Sequence, residues 1–284
     1  MDWSDIILII LATTILVLYI RLMRKNVRLK QLADEAEQNR RESEATEQRN
    51  RQLKQEMTNN IAHELKTPVS SIRGYLEILL SDHPLDEERR RYYLDRCFRQ
   101  TLRLSDLIQD VSIINKLEES ADLFPRTTVD ACQVAEEAIA ELSDKATVAG
   151  ISIRNQLPHM PLNGNHELLY CIFRNLIENS ISYAGNNVQI VLETYLPQSN
   201  YHSTTSSTHY YLHFYDTGCG VPDEYLTKLF DRFVRIDKGR SRHNGGTGLG
   251  LSIVKHAVLF HGGEIYAKNR PEGGLEYFLS LKIQ

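Results

Sequence analysis

Between Val27 and Asn60 the chain contains neither proline nor glycine and is dense in Glu, Arg, Lys and Gln. That composition favours one long helix over any other regular structure. Setting Leu29, Ala36, Ser43, Asn50 and Met57 at heptad position a places Leu32, Asn39, Thr46, Leu53 and Asn60 at d, so every charged residue avoids the seam. The spacing predicts a parallel two-stranded coiled coil, weakened by its polar seam residues, in preference to a merely solvated charged helix. A weak coil is suited to passing on a change of register or packing.

Upstream, Ile6 to Ile20 carries no charge and as a helix would span about 22 Å. Trp3 and Tyr19 at the two interfaces and a snorkelling Arg21 extend this toward the roughly 30 Å of a bilayer core. A secretory signal peptide is the competing reading, but Asp2 and Asp5 precede the run and no small-residue cleavage site follows it. Arg21, Arg24, Lys25, Arg28 and Lys30 all lie on its C-terminal side. The expectation is a single-pass anchor in the inner (cytoplasmic) membrane with everything after residue 20 in the cytoplasm and too few residues outside for an external sensor. The formal net charge of −4 supplies no basic field, so nucleic acid is not an expected partner. Cys97, Cys132, Cys171 and Cys219 are scattered without a CxxC pair, which argues against a zinc site or disulfide framework.

Past Asn60, Ile61, Leu65, Ile72, Leu76 and Leu79 recur with helical spacing and form one apolar stripe. His63, in "NNIAHELKTP", stands about 200° around the helix from Ile61 and therefore faces outward. Pro68 removes a helix hydrogen bond and is expected to bend the chain. After the turn "SDHPLDEE" a second helix is predicted from Glu87 to Glu119, with Leu94, Phe98, Leu102, Leu107, Ile108, Val111 and Ile114 at its inner positions. Two such helices cannot bury both stripes alone, whereas pairing two copies makes a four-helix bundle.

From about Thr128 the texture is mixed α/β. Helices are predicted at 131–149, 167–184 and 249–260, and strands at 151–157, 188–196, 210–215, 264–268 and 275–283, with the polar loop "PQSNYHSTTSST" joining the strands 188–196 and 210–215. This order suggests helices on one face of a mixed sheet. Asn175 and Asn179 in "FRNLIENSISYA" share a helix face with Glu178 beside them, oxygen donors of the kind Mg²⁺ accepts, though a polar helix surface would look the same. Asp216 in "YDTGCGVP" ends a strand before a glycine turn, where a carboxylate could take an amino group's hydrogen bond. "GGTGLGLSIVK" runs Gly245, Gly246, Gly248 and Gly250 straight into a helix, which aims free N–H groups and the dipole at an anion. Its spacing is not that of a Walker P-loop.

With these residues in view, the chain resembles a membrane-bound sensor histidine kinase of a two-component system over nearly everything from Met57 onward. "HELKTP" is similar to that family's phosphoacceptor box, "NLIENSISYA" to its asparagine box, "DTGCG" and "GTGLGL" to its two glycine boxes, and "LFDRFVRID" to its phenylalanine box. The resemblance implies an α+β chain: a transmembrane anchor (1–23), a coiled-coil linker (24–56), a dimeric helical hairpin for phosphotransfer (57–122) and an α/β sandwich ATPase domain of the gyrase, MutL and histidine-kinase type (123–284).

It further implies that His63 takes the γ-phosphoryl group of Mg-ATP and passes it to an aspartate of a cognate response regulator, with Glu64 as base or orienter. Asn179 would hold Mg²⁺ with Asn175 and Glu178. Asp216 would meet the adenine amino group and Tyr183 would pack on the base, beside Gly218 and Gly220. The amides from Gly246 through Thr247, Gly248 and Leu249 to Gly250 would hold phosphates, Arg235 would reach the γ-phosphate, and the basic "KGRSRHN" would form a lid. Thr67, in an HExxT arrangement, implies dephosphorylation of the regulator, or else caps a helix restarting at Pro68. Ser182 departs from the pattern, since many relatives carry Lys or Arg there. The alternative is a degenerate kinase acting as scaffold or phosphatase-only modulator.

Overall fold

The structure, a computed structural model, describes residues 3–81, 84–195, 208–236 and 246–284. It divides into two compact units, residues 1–61 and 62–284. The first helix, α1 (Trp3–Leu79), crosses that division and carries Pro68 inside it. In the first unit its charged stretch is laced by pairs one turn apart, Arg41 with Glu37 at 3.1 Å and Arg51 with Glu47 at 3.2 Å, each a modest helix stabiliser. The side chains of residues 3–13 lie outside the described ones, and among the described residues no helix is long and apolar enough to cross a membrane.

In the second unit α1 continues from Ala62 and α2 (Glu87–Glu119) begins behind Asp86, whose carboxylate caps it by accepting from the Arg89 N–H at 2.7 Å. Tyr75 and Tyr93 bring their rings to 5.9 Å between these helices. Of the inner positions predicted on α2, Leu107 and Ile114 are buried with Ile113, but Leu94, Phe98, Leu102 and Ile108 are exposed. These positions were expected to face inward in a bundle of two copies, and a single hairpin leaves that row uncovered.

The α/β part holds a two-stranded antiparallel sheet, β1 (Thr127–Asp130) with β3 (Pro161–Gly164), and a five-stranded mixed sheet. The latter runs β2 (Ser152–Asn155), β4 (Gln189–Thr194), β5 (His209–Asp216), β7 (Leu275–Lys282), β6 (Ile265–Asn269), with only β2 and β4 parallel. The small β1/β3 sheet was not anticipated, because four-residue strands leave almost no periodicity to read. Three helices, α3 (Ala131–Val148), α4 (His166–Tyr183) and α6 (Gly250–Phe260), stand against one another and cover one face; α5 (Asp223–Leu226) is a single turn.

Asp130 caps α3 and also accepts from the Met160 N–H at 2.8 Å, which ties that helix to β3. Asn165 caps α4 through the Leu168 N–H, and its own N–H donates to Nε2 of the buried His261 at 3.0 Å. Burial pushes His261 down to about 4, so it is a neutral strut between α4 and the end of α6. The inward strand positions Leu212, Phe214, Tyr277, Leu279 and Leu281 are all buried under the helices, each worth roughly 1.5–3 kcal/mol. Among the described residues no helix layer covers the opposite face. Aromatic rings cover it themselves: Tyr266 stacks on Phe278 at 5.0 Å, Phe278 on His213 at 4.5 Å, and Arg270 lies over Tyr215 at 4.2 Å.

Candidate nucleotide site

A cavity of about 860 Å³ opens between α4, the loop after β5, the segment before residue 237 and the loop leading into α6. Asp216 is buried on its floor with both oxygens employed. Oδ1 accepts from the N–H groups of Gly218 at 2.9 Å and Leu275 at 3.3 Å, and Oδ2 accepts from the Ser180 hydroxyl at 2.9 Å. An ionised carboxylate has about four acceptor sites, so one lone pair remains for a donor in the cavity. Gly218 fits because a Cβ there would lie 2.3 Å from the Ala184 carbonyl oxygen. The Cys219 N–H donates to that same oxygen at 3.2 Å, which holds the loop onto the end of α4. Gly220, with positive φ, and the half-exposed Tyr183 complete this end of the cavity.

One turn apart on α4, Asn175 and Asn179 both line the cavity. Asn179 donates through Nδ2 to the hydroxyl of the buried Tyr277 at 2.8 Å, and Asn175 donates through Nδ2 to the Cys171 carbonyl at 2.8 Å. Each amide thus spends its nitrogen on the protein and keeps its oxygen. Two hard oxygens one turn apart fit Mg²⁺, which takes few protein ligands and fills the rest with water and phosphate. Glu178 also lines the cavity, but Lys145 at 2.9 Å and Arg174 at 3.6 Å engage its carboxylate. Among the described residues no group of three or more His, Cys, Asp or Glu side chains could hold a metal ion.

At the phosphate end, Gly246, Thr247, Gly248 and Gly250 line the cavity, and Leu249 is buried behind them just before α6. The first N–H groups of a helix have no partner within it, so those of α6 are offered to an anion. Gly248 has φ 75°, and its carbonyl accepts from the Phe233 N–H at 2.8 Å. Phe233 is itself left-handed at φ 61°, a conformation costing about 1–2 kcal/mol for such a residue. That clasp positions Arg235, whose guanidinium donates to the Gly246 carbonyl. The basic stretch from 238 to 244 lies outside the described residues.

His63 is exposed on α1, and Thr67 below it donates its hydroxyl to the His63 carbonyl at 3.2 Å. Because α1 runs through Pro68 without restarting, Thr67 is not a helix cap. Glu64 points at cations: Arg103 of α2 at 3.2 Å and Arg235 at 3.4 Å. A second contact joins α2 to the site, the Thr247 hydroxyl donating to Asp110 at 2.7 Å. Burial pushes Asp110 up to about 6, with the Thr247 bond pulling back. Arg103, Asp110 and Tyr277 carry no motif signature, and Ser180, although it lies within "NLIENSISYA", has none of the roles that box implies. Only alternation along β7 could have marked Tyr277 as inward.

Comparison with known proteins agrees with this geometry. Residues 53–120 match the family described as His Kinase A (phospho-acceptor) domain, and residues 164–284 match the Histidine kinase-, DNA gyrase B-, and HSP90-like ATPase family. The chain belongs to the histidine kinase family. This family member is 30% identical over 223 residues to the sensor-like histidine kinase SenX3 of Mycolicibacterium smegmatis, covering 78% of this chain and 56% of that protein. It is 31% identical over 226 residues to the phosphate regulon sensor protein PhoR of Pseudomonas aeruginosa, covering 78% and 48%. The chain thus spans about half the length of these curated relatives. Its fold matches the solved histidine kinase ThkA in complex with the response regulator protein TrrA, with a TM-score of 0.61, 21% identity, and coverage of 81% of this chain and 61% of that one.

Proposed function

We propose that this chain is an ATP-dependent protein-histidine kinase that phosphorylates His63 and passes the phosphoryl group to an aspartate of a response regulator. The observation that carries this reading is the contact of Glu64, the residue after His63, with Arg235 at the rim of the cavity that holds Asp216, Asn179 and the glycine loop. Acceptor segment and nucleotide pocket thereby share one compact unit.

In this reading Asp216 accepts the adenine amino group with its remaining lone pair, Tyr183 packs on the base, and the loop from Gly246 to Gly250 takes phosphates. Mg²⁺ would be held by Asn179 with Asn175 and would neutralise phosphate charge. An imidazole nitrogen of His63 attacks the γ-phosphorus with its lone pair as the bond to the ADP oxygen breaks and its electrons leave with ADP. The proton on the other ring nitrogen then passes to a base, for which Glu64 is adjacent in sequence. Incubating the 284-residue chain with Mg²⁺ and γ-labelled ATP should give acid-labile label on the parent and none on His63→Gln. Label retained by His63→Gln would reject the assignment.

The remaining features follow the same reading. The exposed apolar residues of α2 support a homodimer through a four-helix bundle. The uncharged helical run from Ile6 to Ile20 supports a membrane anchor, which predicts that deleting residues 1–23 releases the protein from the membrane fraction. The uncharged seam supports a coiled coil between them.

A further inference from the structure

Among the described residues five cations line the cavity, and they differ in what engages them: Arg99 pairs with Asp95 on its own helix. Lys145 and Arg174 are committed to Glu178 and Glu141. Arg103 and Arg235 share the single carboxylate of Glu64: Arg103 Nη2 lies 3.2 Å from Oε2, and Arg235 Nη1 lies 3.4 Å from both oxygens. All three side chains are largely buried, with 14%, 15% and 19% exposure for Arg103, Arg235 and Glu64. Both guanidiniums also line the cavity, and their forks suit an anion of higher charge than one carboxylate. The anion that the cavity's glycine loop and asparagines are suited to is a polyphosphate.

Resting on the kinase reading above, we propose that Arg103 of α2 is a second γ-phosphate ligand beside Arg235, and that Glu64 occupies the two arginines until ATP displaces it. A terminal phosphate carries about two negative charges and three acceptor oxygens, and guanidinium forks bind such groups bidentately. It therefore outcompetes one carboxylate for both arginines. The exchange has a consequence for chemistry. Glu64, once released, stands next in sequence to His63 with its carboxylate available for the imidazole proton, so arrival of the γ-phosphate and freeing of the base are one event. ADP, lacking that group, leaves the clasp closed. Arg103 also provides a positive charge from the hairpin in a site where position 182 is a serine.

The test is the ATP-to-ADP affinity ratio, measured on the full chain by displacement of a fluorescent nucleotide in Mg²⁺, alongside melting temperatures. Arg103→Gln should weaken ATP by roughly ten- to a hundredfold, as expected for losing a bond between charged groups, and leave ADP unchanged within about twofold. Arg103→Lys should restore part of the loss. Glu64→Gln should tighten ATP severalfold without changing ADP, even though labelling of His63 falls. A purely structural brace predicts otherwise: equal losses for both nucleotides, or none, in Arg103→Gln, and an unaltered ratio in Glu64→Gln. Either result would overturn the proposal. Failure of the underlying reading is separately visible, as ATP binding that is absent in the parent chain or unaffected by Asp216→Asn and Asn179→Ala.

Discussion

Thr67 shows how much a single hydroxyl can leave open in a sequence and how little in a fold. As a cap it would need a helix that starts at Pro68, and α1 is continuous through that position. Its hydroxyl instead donates to the His63 carbonyl, one turn back, on the exposed side of the helix. In the proposed dephosphorylation of a regulator docked beside His63, a group so placed could orient the attacking water, and its loss removes no buried contact. Thr67→Ala should therefore slow dephosphorylation of a phosphorylated response regulator by about tenfold or more while labelling of His63 and the melting temperature stay close to the parent. A variant that melts early with phosphatase activity intact would return Thr67 to a structural role. The motif residues were legible as chemistry because spacing puts Asn175 and Asn179 on one face and glycines before a helix. Which ends of their amides face the cavity was not legible, because Tyr277 and the Cys171 carbonyl decide that.

Among the elements, α2 carries two duties that one amphipathic pattern cannot distinguish. Leu107, Ile113 and Ile114 are buried on a helix that packs against α6, whereas Leu94, Phe98 and Ile108 are exposed. Asp110 lies on the same helix and accepts from Thr247, just before α6. Burial pushes its carboxyl above the ordinary 3.8 to about 6. The folded state therefore holds a proton there that the unfolded chain has already lost. Its contribution to stability is full below pH 3.8 and disappears as pH rises through 6, a difference of roughly 2–3 kcal/mol. Asp110→Asn keeps an acceptor for Thr247 and removes the titration. Thermal melts from pH 5 to 8 should show the parent losing stability relative to this variant across that window, and parallel curves would refute the assignment.

At the scale of the molecule, Leu94, Phe98, Leu102 and Ile108 form an exposed apolar row on the hairpin. The proposed bundle would cover it, so Phe98→Asp, which places a charge at a 62% exposed position, should weaken self-association by roughly a hundredfold or more once two copies each bury one. Sedimentation should then report a monomer that still binds ATP, and a dimer undiminished by the change would put the interface elsewhere. The order of helices and strands from Ala131 onward was readable because most elements are long and periodic; the four-residue β1 and β3 were not. The sequence by itself determined the long helix, the hairpin, the α/β domain and the chemistry of the nucleotide boxes, since each is written within a few turns of helix or one loop. Only the tertiary structure decided that Glu64, Arg103 and Arg235 meet, and that Asp110 reaches Thr247. Those partners are separated by 39, 171 and 137 positions, and no local periodicity records which distant side chains a packed fold brings to one place.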